Sequence, residues 1–341
     1  MEMSSRPHNS STRSYKNTTR VVEEIPGFLK VYTDGSVDRS SALVTEVSAS
    51  HGCHGYKVCS KDVALNSKVG TWARIYIPQE LIDESCSKNS RSNRVPVVFY
   101  FHGGGFCMGS AAWSTYHSFL SSISAEAECI IISVNYRLAP EHRLPVAYED
   151  CWSAIEWASQ PSSHEWIQSY GDLSRCFLAG DSAGANIGHH LAVWSSKEDL
   201  QGVGIVGVAL IQPFFGRECK CRTKSEVEAT DPALEVQWTD VFWRMALPEG
   251  ANKDHPACNP LGPGGQLGDL KDLILPPILL FISEGDVMRD MDLEYYKAMR
   301  LANQEIRYVL CKGVGHGFQV LQPYSAETRE LKKQLAIFIN K

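Results

Sequence analysis

Arg175-Cys-Phe-Leu-Ala-Gly-Asp-Ser-Ala-Gly-Ala-Asn-Ile-Gly188 is the stretch that decides the fold. Arg175 to Ala179 is an apolar run that reads as a buried strand. Gly180-Asp181-Ser182-Ala183-Gly184 then fits G-x-S-x-G, a sharp turn that lifts a nucleophilic serine off a strand end. Beyond the turn, Ile187, Leu191 and Trp194 fall on one helical face. Strand, turn and helix in this order put Ser182 at the carboxyl end of a strand. Parallel sheets carry their chemistry there.

A similar unit lies upstream. Val95-Pro-Val-Val-Phe-Tyr-Phe101 is continuously apolar, and His102-Gly103-Gly104-Gly105 follows it. The second piece fits the HGGG loop, whose amides hold a developing oxyanion. One motif supplies an attacking oxygen and the other a place for negative charge, a combination that suits acyl transfer. The expected amide donors are Gly103, Gly104 and Ala183, the last because it follows the nucleophile. Glycine allows close backbone approach there. His102 is expected to shape the loop rather than react, and Asp181 to anchor the elbow.

A serine hydroxyl needs a base to take its proton, and the base needs an acid to hold its tautomer. Behind such an elbow the partners follow in the order Ser, Asp or Glu, His. Four histidines follow Ser182. His189 and His190 lie on the helix just past the turn, and His255 precedes the best acid. His316 remains, within Gly313-Val-Gly-His-Gly-Phe318 and just after an apolar run. Asp286 directly follows the run Ile278–Ser283 and is the expected acid. Glu284 and Asp290 are its rivals. Glu284 reads as a turn or surface-paired residue, and Asp290 as the cap of a helix from Met291 onward. Phe106, Met108, Phe214, Phe215, Trp243 and Phe318 are the candidates to line a substrate pocket.

The remaining chain alternates. Cys129–Val134, Val206–Ile211, Ile278–Ser283 and Ile306–Leu310 are apolar runs, and Thr71–Ile77 alternates like a half-buried strand. Phe28–Gly35 reads as a short strand ending in an Asp-Gly turn. Leu331, Leu335 and Phe338 share a helical face behind a cap at Ser325. The pattern predicts an α/β fold with a mostly parallel central sheet and helices on both faces. Residues 1–24 read as a polar, disordered tail and 25–341 as a single domain. The aromatic-rich interval 213–265 breaks the alternation. Two readings stand for it: a cap over the site, or a helix packed on the sheet edge.

The 341 residues can bury a large core without staples. A net charge of −6 and the lack of a Lys/Arg cluster argue against nucleic acid. No apolar run approaches a membrane span. The 11 cysteines sit mostly in apolar runs, as buried thiols of a reducing compartment would. Cys219-x-Cys221 is too closely spaced for zinc and has no second pair, so no metal is expected. The first twenty residues hold no secretory core, and a tail fits them better than a transit peptide. Nothing signals an oligomeric state.

His102-Gly-Gly-Gly105, Gly180-Asp-Ser-Ala-Gly184 and Asn135-Tyr-Arg-Leu-Ala-Pro-Glu-His-Arg-Leu-Pro145 together resemble the hormone-sensitive-lipase group of α/β hydrolases. Within it the chain is most similar to plant carboxylesterases, whose opening resembles Gly27–Gly35. The likeness runs from about Val21 to the C-terminus. It implies the α/β-hydrolase fold with a cap over the C-terminal strand ends. It also implies a triad of Ser182, Asp286 and His316, and an oxyanion hole of Gly103, Gly104 and Ala183. The implied protein is a cytosolic (cytoplasmic) esterase without cofactor, and the aromatic-rich interval 213–265, read as a cap, favours a small, largely apolar ester. An N-terminal segment from about residue 25 to 60 would help cover its site. Gibberellin receptors resemble the same family but lack the catalytic histidine, which is present here as His316. Dehydratases and alkaloid-modifying enzymes of the family can retain the triad. Elimination on the same scaffold is therefore the second reading and a small-molecule receptor the third.

Overall fold

The computed structural model describes residues 19–40, 44–50, 57–84, 94–218, 234, 236–262 and 272–341. It divides into two compact units, Met1–Ser41 and Ala42–Lys341. In the first, β1 (Val21–Ile25), β2 (Leu29–Tyr32) and β3 (Val37–Asp38) form an antiparallel sheet. Gly35 makes the turn after β2, at φ 81°. The tail boundary expected at residue 24 thus falls inside β1, because Val21–Ile25 pairs with β2 across a tight turn.

The second unit holds an eight-stranded sheet in the order β11-β10-β9-β8-β6-β7-β5-β4. Its strands are β4 (Val58–Asn66), β5 (Thr71–Pro78), β6 (Val95–Phe101), β7 (Ile130–Asn135), β8 (Gly171–Asp181), β9 (Ile205–Ile211), β10 (Ile278–Ser283) and β11 (Ile306–Cys311). From β6 to β11 all are parallel, and β5 alone runs against its neighbours. The central strand β6 is apolar throughout because helices cover both faces. Val97 to Phe101 are at most 2% exposed. Edge strands β4 and β11 alternate instead, as one-sided burial requires.

The described helices are α1 (Gln79–Glu84), α2 (Ser114–Ala127), α3 (Val146–Ser159), α4 (Glu165–Tyr170), α5 (Ala183–Ser195), α6 (Val236–Ala246), α7 (Arg289–Leu301), α8 (Phe318–Leu321) and α9 (Ala326–Ile339). On one face, Phe119, Leu120 and Ile123 of α2 and Leu331, Leu335 and Phe338 of α9 pack on Val98, Tyr100, Phe177 and Phe281 of the sheet. Helices α3 and α5 pack together, with α5 laid on β8 and β9. Ser325 caps α9, its hydroxyl accepting from the Thr328 amide at 3.0 Å. No helix among the described residues is long and apolar enough to cross a membrane.

Chain order reverses between β6 and β8: β7 lies on one side of them and β9 on the other. A crevice opens outside the carboxyl ends of strands at such a switch point. His102 leaves β6 there, and Ser182 leaves β8. Gly184 makes the crossing possible: a Cβ on it would stand 1.9 Å from the Phe101 carbonyl oxygen, with no flexible atom to yield. We expect Gly184→Ala to cost about 3 kcal/mol or more by overpacking. Gly188→Ala, one helical turn on, meets only side-chain methyls, Leu210 Cδ2 at 3.3 Å and Val208 Cγ1 at 4.0 Å, and gains helix propensity. It should stay within about 1 kcal/mol of wild type in urea denaturation. Equal stability of the two variants would contradict the packing described.

Candidate active site

Three chain segments meet at the crevice. Ser182 sits between β8 and α5 with φ 53° and ψ −119°, a strained conformation for a non-glycine residue. His316 lies in the loop from β11 to α8, and Asp286 in the turn from β10 to α7. His316 Nε2 is 2.9 Å from Ser182 Oγ and its Nδ1 is 2.8 Å from Asp286 Oδ2. With the proton on Nδ1, the ring donates to the carboxylate and accepts from the hydroxyl. The other Asp286 oxygen accepts from the Met288 amide at 3.0 Å, which fixes the carboxylate plane. Ser182 is 8% exposed, His316 9% and Asp286 1%. Ser182 and His316 thus keep slightly more exposure than the sealed Asp286.

The rival residues are held elsewhere. Glu284 accepts from the Gly313 amide at 2.9 Å, so it ties two turns together. Asp290 was expected to cap α7, but that helix begins at Arg289 with Met288 at its N-cap. Asp290 lies in the first turn, paired with Arg289 at 3.4 Å. The helix starts early because the Arg289 amide already donates to the Asp286 carbonyl. His189 bonds Tyr295 Oη through Nδ1 at 3.0 Å, and His190 stacks on Tyr148. Burial lowers the affinity of both rings for a proton, that of His190 to a pKa of about 4. His255 Nδ1 accepts from the Ala257 amide at 3.2 Å.

The glycine loop differs in one respect from expectation. The Gly103 amide points into the protein, donating to Tyr116 Oη at 2.8 Å and Asp181 Oδ1 at 3.1 Å. It is engaged and cannot serve a substrate oxygen. The reason is the buried Asp181 carboxylate, which also accepts from Tyr100 Oη at 2.7 Å and Tyr116 Oη at 2.9 Å. Burial raises the Asp181 pKa, and these donors work against the rise. Among the described residues, no acceptor takes the amides of Gly104, Gly105 or Ala183. Gly104 is at φ 118°, and a Cβ there would lie 2.1 Å from the Met108 carbonyl oxygen. Ala183 opens α5, so its amide lies at the positive end of a helix dipole. His102 shapes the loop: Nδ1–H donates to the Gly103 carbonyl at 2.8 Å and the ring stacks on Tyr136 at 4.3 Å. Burial holds it neutral, with a pKa of about 4.

The expected pocket aromatics prove to be packing residues. Phe106, Phe214, Phe215, Trp243 and Phe318 are each 1% exposed. Phe318 belongs to the core under α2 and α9. Phe215 packs on His189 and Tyr295 behind α5. Phe214 and Trp243 stack at 4.6 Å, and Phe106 joins them at 5.7 Å from Trp243. Large apolar rings satisfy one another before they face water. Met108 is the one candidate left half-buried. The Phe242 ring of α6 covers Gly105, where a Cβ would come within 2.4 Å of it. Residues 219–233, with Cys219 and Cys221, and residues 263–271 lie outside the described residues.

Sequence reasoning missed Tyr100, Tyr116 and Asn186. Tyr100 read as one more apolar position of a strand and Tyr116 fell in no motif; their hydroxyls gain meaning only where Asp181 arrives. Asn186 is fully buried, donating to the carbonyls of Phe214 at 2.9 Å and Ala257 at 2.8 Å and accepting from Tyr148 Oη at 2.7 Å. A polar residue amid small apolar ones, one turn beyond Ser182, is a signal that could have been followed.

A family model described as the alpha/beta hydrolase fold matches residues 98–320, spanning both glycine motifs and His316. The chain belongs to the α/β-hydrolase family. It is 40% identical to "Probable carboxylesterase 6" of Arabidopsis thaliana over 94% of this chain and 92% of the relative. It is 30% identical to 2-hydroxyisoflavanone dehydratase of Glycyrrhiza echinata over 97% of this chain and 99% of that one. Among solved structures, a thermophilic carboxylesterase cloned from a metagenomic library superposes with a TM-score of 0.68 at 28% identity. That match covers 87% of this chain and 90% of the other.

Behind the acid, Asp292 of α7 is fully buried and neither oxygen has a partner among the described residues. Burial, and then the charge of Asp286, push its pKa well above 3.8. The folded state thus keeps a proton that the unfolded chain releases, and stability falls as pH rises through 3.8 toward the folded value. Asp292→Asn removes that slope. Its stability advantage over wild type should be near zero below about pH 4 and widen upward, at most tenfold in the folding equilibrium per pH unit. Urea titrations across the range measure it, and a constant difference would refute the assignment.

Proposed function

We propose that this chain is a serine carboxylesterase that hydrolyses carboxylic esters through an acyl-enzyme on Ser182. The observation that carries the reading is the unbroken relay from Asp286 through His316 to Ser182, at 2.8 and 2.9 Å, at the N-terminus of α5. His316 takes the hydroxyl proton as Ser182 Oγ attacks the carbonyl carbon, and Asp286 stabilises the imidazolium. The oxyanion rests on the amides of Ala183 and Gly104, with Gly105 beside them. Each such donor contributes about 3 kcal/mol to lowering the barrier. His316 then protonates the leaving alcohol, and water repeats the sequence on the acyl group.

The substrate in this reading is a compact, largely apolar ester. Met108 beside the glycine loop and the low exposure of Ser182 and His316 favour it. Helix α6 acts as part of a cap, a reading supported by the Phe242 ring over Gly105. We take its residence as cytosolic. The seven buried free thiols among the described residues suit a reducing compartment. The dehydratase relative supplies the second reading, in which His316 is the base for an elimination and no acyl-enzyme forms.

A fluorophosphonate should label wild-type Ser182 stoichiometrically, and p-nitrophenyl acetate should give a burst. Ser182→Ala should lose both, with kcat down about 10⁴-fold or more. Unlabelled Ser182 in folded protein would refute the hydrolase reading. Turnover of a hydroxylated substrate retained in Ser182→Ala would establish elimination.

A further inference from the structure

The relay leaves unexplained what holds His316 at bonding distance from Ser182, since its loop is free of regular structure between β11 and α8. Gln212, the first residue after β9, is fully buried and sits at φ 48°, in the left-handed region. A glutamine there is held against backbone strain. Its side-chain amide is engaged at both ends. Nε2 donates to the Gly315 carbonyl at 3.0 Å and to Ser283 Oγ, and Oε1 accepts from the Gly317 amide at 2.8 Å. Those are the peptide groups on either side of His316. Ser283 closes β10, and its carbonyl accepts from the Asp286 amide at 3.4 Å.

The same turn grips the nucleophile. The Ile211 carbonyl accepts from the Ser182 amide at 2.9 Å, and the Phe214 amide donates to the Ser182 carbonyl at 3.0 Å. Four consecutive residues thus hold the serine by backbone and the histidine loop by one side chain. We propose that Gln212 is a positioning residue that sets the distance between His316 and Ser182 by clamping the peptide groups flanking the imidazole. It touches no substrate and acts only through His316. The inference rests on the esterase reading above for its kinetic consequence, and on geometry alone for its structural one.

Methionine matches glutamine in length and lacks both its donors and its acceptor. Gln212→Met should therefore free the loop without emptying the site. Misplacing a reacting group by about 1 Å costs on the order of 10²-fold in rate. We expect kcat for p-nitrophenyl acetate to fall about 10- to 100-fold with KM within about threefold, and fluorophosphonate labelling to slow in parallel. With the ring less tightly held to Asp286, the acidic limb of kcat/KM should move to lower pH. The downfield proton resonance of His316 Nδ1–H, read without any substrate, should broaden or shift upfield. A purely structural glutamine would lower the urea midpoint and leave kcat, the limb and the resonance at wild-type values; that result overturns the proposal. If Gln212→Met fails to fold, Gln212→Asn carries the same readouts, its amide drawn back by about 1.5 Å. A wild type that is never labelled would sink the esterase reading, while the resonance would still decide the clamp.

Discussion

Gly184 passes so close over the Phe101 carbonyl oxygen that no side chain fits between them. From this approach the rest of the site follows. It presses the start of α5 against the end of β6, which brings the elbow beside the loop that leaves the same strand. Ser182 is forced to a positive φ, so its hydroxyl stands clear of the sheet and the first amides of α5 face the crevice. The strain persists because both flanks are hydrogen-bonded into the turn after β9.

A second constraint is electrostatic. Asp181, beside Ser182, is a carboxylate surrounded by donors rather than by cations. Two tyrosine hydroxyls and the Gly103 amide stabilise it in place. Burial keeps those tyrosines from ionising and keeps His102, His189 and His190 from gaining protons. His102, Tyr100 and Tyr116 are thus neutral groups that orient the glycine loop without taking up or giving up a proton. His316 alone among these imidazoles meets both a carboxylate and a hydroxyl, so it alone is placed to move a proton.

How far the site could be read depended on the range of the interactions involved. Ser182, His316 and Asp286 were legible because each follows a strand and carries its own turn chemistry. β6 and β10 were legible to the residue, being continuously apolar. β4 was missed, because the polar run Ser60, Lys61 and Asp62 interrupts the apolar pattern of this edge strand. The Gly103 amide was misread because its partners, Tyr116 and Asp181, are 13 and 78 positions away. The aromatics were misread for a similar reason: a pattern of apolar residues marks burial without saying whether a ring meets a ligand or another ring.

By itself, then, the sequence pointed to the class of fold, to every strand of the main sheet except β4, and to the three residues that meet at the crevice. These follow from short-range rules: apolar period, glycine at tight turns, and a serine at a strand end. Only the tertiary structure decided which loop amides stay open, which rings pack on rings, and how Gln212 spans two turns. Those outcomes depend on distances between segments remote in the chain, and such distances are set by the packing of the whole sheet.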